Sequence, residues 1–85
     1  MRYTVVWRKP PLNTLMAYWS SSTDRTALTE AVERIDRLLG DDPERHGEEY
    51  YGDRIVVVAS IAVTFKIIEE DRIVEVVDLF SKEIK

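Results

Sequence analysis

The side chains able to do chemistry are few and scattered along the chain. The one histidine, His46, stands in an acidic run with Asp41, Asp42, Glu44, Glu48 and Glu49. A metal site needs several ligands converging at fixed spacing. A run of acids with a single imidazole has no such spacing, so a solvated loop is expected and neither a metal nor a cofactor is implied. There is no cysteine and no Gly-x-Ser-x-Gly elbow to give His46 a nucleophile to activate. The three glycines, at 40, 47 and 52, form neither GxxxxGK nor GxGxxG, so no backbone cradle for phosphate exists. The carboxylate pairs Asp41/Asp42 and Glu69/Glu70 fall in polar stretches, with nothing apolar beside them to hold a proton for acid catalysis.

Two sets of residues remain. Arg54, Lys66 and Lys82 are the cations that phosphate chemistry would have to use. If Lys66 and Lys82 share a face they make a small positive strip, diluted by Glu69, Glu70, Glu75, Asp78 and Glu83. Among the aromatic residues, Trp7, Trp19 and Phe65 occupy the apolar phase of their elements and are expected in the core. Phe80 and the pair Tyr50 and Tyr51 are expected at the surface, where with Lys82 they form a candidate partner-binding set.

The elements that must position these residues follow from periodicity. Residues 3–7 are β-branched and aromatic and stop at Pro10 and Pro11, which predicts a first strand. Leu12, Leu15, Met16 and Trp19 recur at helical spacing and predict a short helix over about 11–19. The polar cluster 20–24 separates it from a second helix and caps that helix. Leu28, Ala31, Val32, Ile35, Leu38 and Leu39 give the second helix the clearest period in the chain, ending at Gly40 with Asp41, Asp42 and Pro43 beyond.

Residues 54–59, 63–68 and 72–80 are three β-branched runs with connections short enough for an antiparallel meander. The expected order is β-α-α-β-β-β, an α+β sandwich of two layers with both helices on one face of the sheet. The last strand is expected to be an exposed edge, with Phe80 on it as a docking point.

At 85 residues the chain builds one domain, 1–85, because so short a sequence cannot divide its apolar residues between two cores. Its net charge of −4 opposes broad attraction to nucleic acid. That charge is local. Residues 41–52 hold five acids against one arginine, and the rest of the chain is neutral in sum. No apolar run approaches the roughly 18–20 residues of a bilayer span, and no signal-type apolar segment opens the chain. A cytoplasmic protein without membrane contact is expected.

Several stretches carry a family resemblance. Tyr3-Thr4-Val5-Val6-Trp7 with Leu12-Asn13 and Leu15, the helix holding Ala31, Arg34-Ile35 and Leu38-Leu39 before Asp42-Pro43, and the tail with Val63-Thr64-Phe65-Lys66-Ile67, Asp71-Arg72 and Val74-Glu75-Val76 resemble the RelE/ParE superfamily of bacterial type II toxins, the plasmid-stabilisation proteins. The resemblance covers nearly the whole chain. It implies a toxin silenced by an antitoxin that wraps the domain. RelE-like members cut messenger RNA in the ribosome with basic residues and a tyrosine on the sheet, whereas ParE-like members poison DNA gyrase without that set.

This sequence departs from the RelE-like pattern. Ala62 stands where an arginine is usual, Asp78 falls near the second arginine position, and no tyrosine follows Lys82. Three readings follow. The first is a toxin-family protein acting by protein binding, with an antitoxin as partner, gyrase as a possible target and a homodimer open. The second is a toxin fold that has lost toxicity. The third is a ribosome-dependent endoribonuclease using Arg54, Lys66 and Lys82.

Overall fold

The apolar period of residues 28–39 folds as a 17-residue helix, α2 (Arg25–Asp41). Asp24 caps it, its carboxylate accepting from the Ala27 N–H at 3.1 Å. The structure, a computed structural model, describes residues 2–81. Ahead of α2 come strand β1 (Thr4–Trp7) and helix α1 (Lys9–Ser21), which starts earlier than expected because Pro10 and Pro11 sit in its first turn. After it come β2 (Glu48–Tyr50), β3 (Asp53–Val58), β4 (Ile61–Ile68) and β5 (Ile73–Ser81). Single 3-10 turns at Pro43–Arg45 and Glu69–Asp71 complete the path.

The five strands form one sheet in the order β1-β5-β4-β3-β2, with β1 parallel to β5 and every other neighbour antiparallel. The α+β sandwich with two helices on one face is as the sequence predicts. Two details differ. First, β2 arises inside the acidic stretch expected to be loop. Tyr51 and Gly52 take positive φ values of 50° and 89°, which closes a tight two-residue hairpin and pairs Tyr50 with Asp53 and Glu48 with Ile55. The turn imposes a strand that Glu-Glu-Tyr would not choose by propensity.

Second, β5 is not an exposed edge along its first half. It lies between β1 and β4, since Thr4 to Trp7 pair along Ile73 to Val76. Beyond Val76 only β4 runs beside it, and its own neighbours take up two amides. The Leu79 N–H donates to the Asp78 carboxylate at 2.9 Å, and the Ser81 N–H to the Tyr18 hydroxyl at 3.1 Å.

One face of the sheet meets α2. Leu28, Ala31, Ile35 and Leu39 pack on Val58, Ile61, Val63, Phe65, Val74, Val76 and Leu79. Ile35, Leu39, Val63, Phe65, Val74 and Val76 are wholly buried. Between Thr64 and Phe65 the pairing with β5 shifts, so that Thr64 faces Asp78 while Phe65 faces Val76. Val77 is therefore the extra residue of a bulge, and it moves the inward phase of β5 from Val74 and Val76 to Leu79. Helix α1 contributes Pro11, Leu15 and Tyr18 to the buried side.

Candidate functional site: the open sheet face and the outer side of helix α1

The strand registers define rows of side chains on the face without helices. Val57, Ala62 and Phe80 form one row. Glu48, Ile55, Thr64 and Asp78 form the next, and Tyr50, Asp53, Lys66, Glu75 and Val6 a third. Tyr50 and Phe80 are two rows and three strand spacings apart in register, yet their ring centroids are 6.4 Å apart. The sheet must curl to bring them together, so this face is concave there. The floor beneath is closed, with Ala62 and Thr64 each 4% exposed. Tyr51 packs edge-on against Tyr50 at 4.8 Å and is itself 92% exposed.

Charge on this face is mostly negative. Among the described residues it presents Glu48, Asp53, Glu75 and Asp78 against Arg8 and Lys66. Both cations are engaged, Lys66 with Asp53 at 3.1 Å and Arg8 with Glu75 at 3.7 Å.

The three cations singled out in the sequence do not assemble. Arg54 pairs in register with Phe65 and so faces the helices, on the opposite side of the sheet from Lys66. Its Nη2 donates to the Glu44 carbonyl at 3.1 Å, and its Nε is buried with no partner among the described residues. Lys82 lies outside the described residues. Of the aromatic set, Tyr50 and Phe80 do come together, with Tyr51 beside them.

A separate polar cluster sits where β1 begins. The Tyr3 hydroxyl donates to Glu69 Oε1 at 3.3 Å, and the Arg72 guanidinium lies 5.8 Å from the Tyr3 ring centroid. A hydrogen bond with Glu69, together with its charge, raises the Glu44 carboxyl above the usual carboxylate range. Desolvation, then the Glu69 charge, raises the Tyr3 hydroxyl. No group of three or more metal-ligating side chains converges among the described residues.

The outer side of α1 was misread in sequence. Trp19, expected in the core, is 45% exposed. Helix α1 carries two apolar stripes, and the sheet takes only the one through Pro11, Leu15 and Tyr18. The other, Leu12, Met16 and Trp19, faces outward, with Met16 at 66% exposure. Trp19 borders an apolar cleft of about 130 Å³ between the two helices, lined also by Leu15, Leu28 and Val32. Arg25 fixes the indole, its guanidinium 4.6 Å from the ring centroid and its Nε donating to the Trp19 carbonyl at 2.9 Å. The signal was present in the sequence: Leu12, Leu15, Met16, Tyr18 and Trp19 are more apolar positions than one buried stripe on a short helix uses.

The architecture has close parallels among solved structures. A chain of the RelBE2 toxin–antitoxin complex of Mycobacterium tuberculosis superposes with a TM-score of 0.76 at 19% identity, over 95% of this chain and 99% of that one. A chain of the chromosomal ParDE system of P. aeruginosa gives 0.74 at 14% identity, over 96% and 98%. The archaeal RelE–RelB complex of Pyrococcus horikoshii gives 0.69 at 16%, covering both chains entirely. The chain has the RelE/ParE toxin fold. No protein-family model matches the sequence. No curated protein matches it either. At such identities the likeness speaks to the fold alone. On the RelE/ParE scaffold, both departures noted in the sequence, Ala62 and Asp78, fall on the open sheet face, in adjacent rows.

Proposed function

We propose that this chain is the toxin-fold component of a type II toxin–antitoxin pair, acting in the cytoplasm through protein contacts, and that its antitoxin covers the outer side of α1. The observation that carries this reading is the exposed stripe of Leu12, Met16 and Trp19 beside the interhelical cleft. An apolar stripe of that kind on a small soluble domain marks a protein-binding surface, and an amphipathic segment with apolar anchors at helical spacing suits it. The solved structures of similar fold are toxin–antitoxin complexes, which supports an antitoxin as the occupant.

Protein binding is favoured over RNA cleavage by the charge of the open face. Cleaving a phosphodiester requires a cation aimed at the phosphate and a group that moves the proton. On this face both cations among the described residues are ion-paired and acids outnumber them, while Arg54 faces the helices. DNA gyrase is the target in this reading. A second reading, a toxin fold without toxicity, is favoured by Ala62 where the resemblance expects an arginine and by Asp78 near the place of a second one.

The test is to induce the protein alone in a bacterial host, and together with the product of an adjoining small reading frame, following growth, message integrity and DNA supercoiling. Growth arrest with intact messages and altered supercoiling, relieved by the neighbour, is the expected result. Normal growth at high soluble expression supports the second reading. Rapid loss of messages overturns both.

A further inference from the structure

Resting on the reading that this chain acts through protein contacts, we infer that the tip of the β2–β3 hairpin is the contact made with its target, and that the Tyr51 ring enters an apolar pocket with a basic rim on that protein. Tyr51 has neither the backbone nor the surroundings of a structural residue. Tyr51 and Gly52 hold φ values of 50° and 89°, the pattern of a type I′ turn, whose first central position favours Asn, Asp or Gly. A bulky side chain there is strained. Packing does not offset the strain, because the ring is 92% exposed and its edge-on contact with Tyr50 buries little of it. The other two non-glycine residues at positive φ differ. Ala59 is small, and Arg72 lays its guanidinium 5.8 Å from the Tyr3 ring centroid. Strain that the fold itself does not use collects at functional sites.

The ring is also braced for insertion. Tyr51 rests on Tyr50 at 4.8 Å between centroids, and Tyr50 on Phe80 at 6.4 Å, so the tip is supported from the sheet. A Cβ at Gly52 would meet nothing within 4 Å, so that side of the tip stands clear of the chain. A pre-positioned aromatic side chain loses little freedom on binding, and tyrosine is among the residues that dominate interface energies. A projecting ring is buried by a pocket and not by a flat surface. Residues 48–53 hold Glu48, Glu49 and Asp53 and no Lys or Arg, and Lys66 offsets only Asp53, at 3.1 Å. The remaining negative charge and the negative face of the ring both favour Arg or Lys at the pocket rim. The chain makes that pairing within itself, with the Arg25 guanidinium 4.6 Å from the Trp19 ring centroid. The same charge repels a phosphate backbone, so a nucleobase stacked on Tyr51 is not the occupant.

The experiment compares the full chain with Tyr51→Asn, which supplies a residue that the turn prefers. Purified DNA gyrase, the target in that reading, is the probe, and growth on induction in a bacterial host is followed in parallel. Tyr51→Asn should melt at or above the parent's midpoint, bind gyrase at least about tenfold more weakly and no longer arrest growth. Its affinity for the antitoxin should stay that of the parent, because the α1 stripe is untouched. Tyr51→Phe keeps the ring and should keep the arrest. Binding of the parent to gyrase should weaken as salt rises.

Gyrase binding and growth arrest by Tyr51→Asn at the parent's level overturn the inference and leave the toxin reading standing. A midpoint more than about 4 °C below the parent's also overturns it, by making Tyr51 a structural residue. So does loss of antitoxin binding in this variant, or a concentration-dependent rise in the parent's mass that the variant abolishes, which would assign the tip to the antitoxin or to a second copy of this chain. A parent that neither binds gyrase nor arrests growth removes the reading and the inference together. A parent that arrests growth without binding gyrase removes gyrase alone as the target, and the arrest then decides: its loss in Tyr51→Asn supports the inference and its persistence overturns it.

Discussion

Gly47 and Gly52 flank the hairpin strand β2, and substituting alanine at each separates two costs that usually come together. Both glycines hold left-handed backbone, with φ values of +84° and +89°, where an L side chain costs about 1–2 kcal/mol. At Gly52 a Cβ would meet nothing within 4 Å, so Gly52→Ala should cost that strain and no more. At Gly47 the Cβ would stand 2.8 Å from the Ile55 carbonyl oxygen and 3.1 Å and 3.2 Å from two atoms of the Phe65 ring. The carbonyl belongs to β3, whose ladder holds it, and Phe65 is wholly buried. Neither can retreat without disturbing the core, and overpacking of that kind adds about 1–3 kcal/mol. Gly47→Ala should therefore cost about 2–5 kcal/mol in total. Each kcal/mol moves the midpoint of a domain this size by about 4–8 °C, so Gly47→Ala should melt at least about 4 °C below Gly52→Ala. Thermal and urea unfolding of both variants measure it. Equal midpoints would show that Gly47 does not approach the Ile55 carbonyl and the Phe65 ring as closely as these distances require.

Other expectations are checked more simply. Met16→Asp should leave the free protein's melting temperature within about 2 °C, because the side chain is largely in water, while weakening the antitoxin complex at least tenfold by calorimetry. An unchanged affinity would remove α1 from the interface. The Trp7 indole N–H donates to Asp36 at 2.9 Å, so Trp7→Phe keeps an aromatic side chain but loses the bond together with part of the ring's packing, of which the bond is about 0.5–1.5 kcal/mol. A double-mutant cycle with Asp36→Ala should find that coupling, and a coupling of zero would contradict the contact. The Glu44 carboxyl, raised by its hydrogen bond with Glu69, favours the fold most when protonated. Its contribution is complete below the unfolded-state value and is lost as pH rises through the raised one. Glu44→Gln should thus be more stable than the parent at neutral pH, with the advantage vanishing as pH falls. A constant difference across pH would refute the pairing.

What could be read from the sequence was what repeats locally. The period from Leu28 to Leu39 fixed α2, and the β-branched runs gave the meander, because burial against a single layer writes itself into each element. Four features escaped for a common reason: each depends on a partner distant in sequence or on backbone geometry. The pairing of β1 with β5 joins segments from opposite ends of the chain. Strand β2 is made by the Tyr51-Gly52 turn and not by its own residues. Arg54 and Lys66 look equivalent in sequence, and only the register of β3 on β4 shows that they face opposite sides. Trp19 failed differently, since helical spacing identifies apolar positions without saying which of two stripes the sheet will take. The Tyr50–Phe80 contact belongs to the first group, because it needs the sheet to curl.

The parallel pairing of β1 with β5 has a kinetic consequence. Thr4 meets Ile73 only after the chain has been made as far as residue 73, so β1 waits unpaired through synthesis of both helices and of strands β2 to β4. Closing so long a loop is slow compared with forming a hairpin. From the emergence of β5 until β1 docks on it, the β5 positions that β1 will cover are free for another extended strand. The nascent chain is therefore most open to capture just before its last strand is sealed, and a partner present at the ribosome would meet a surface that the finished domain no longer offers.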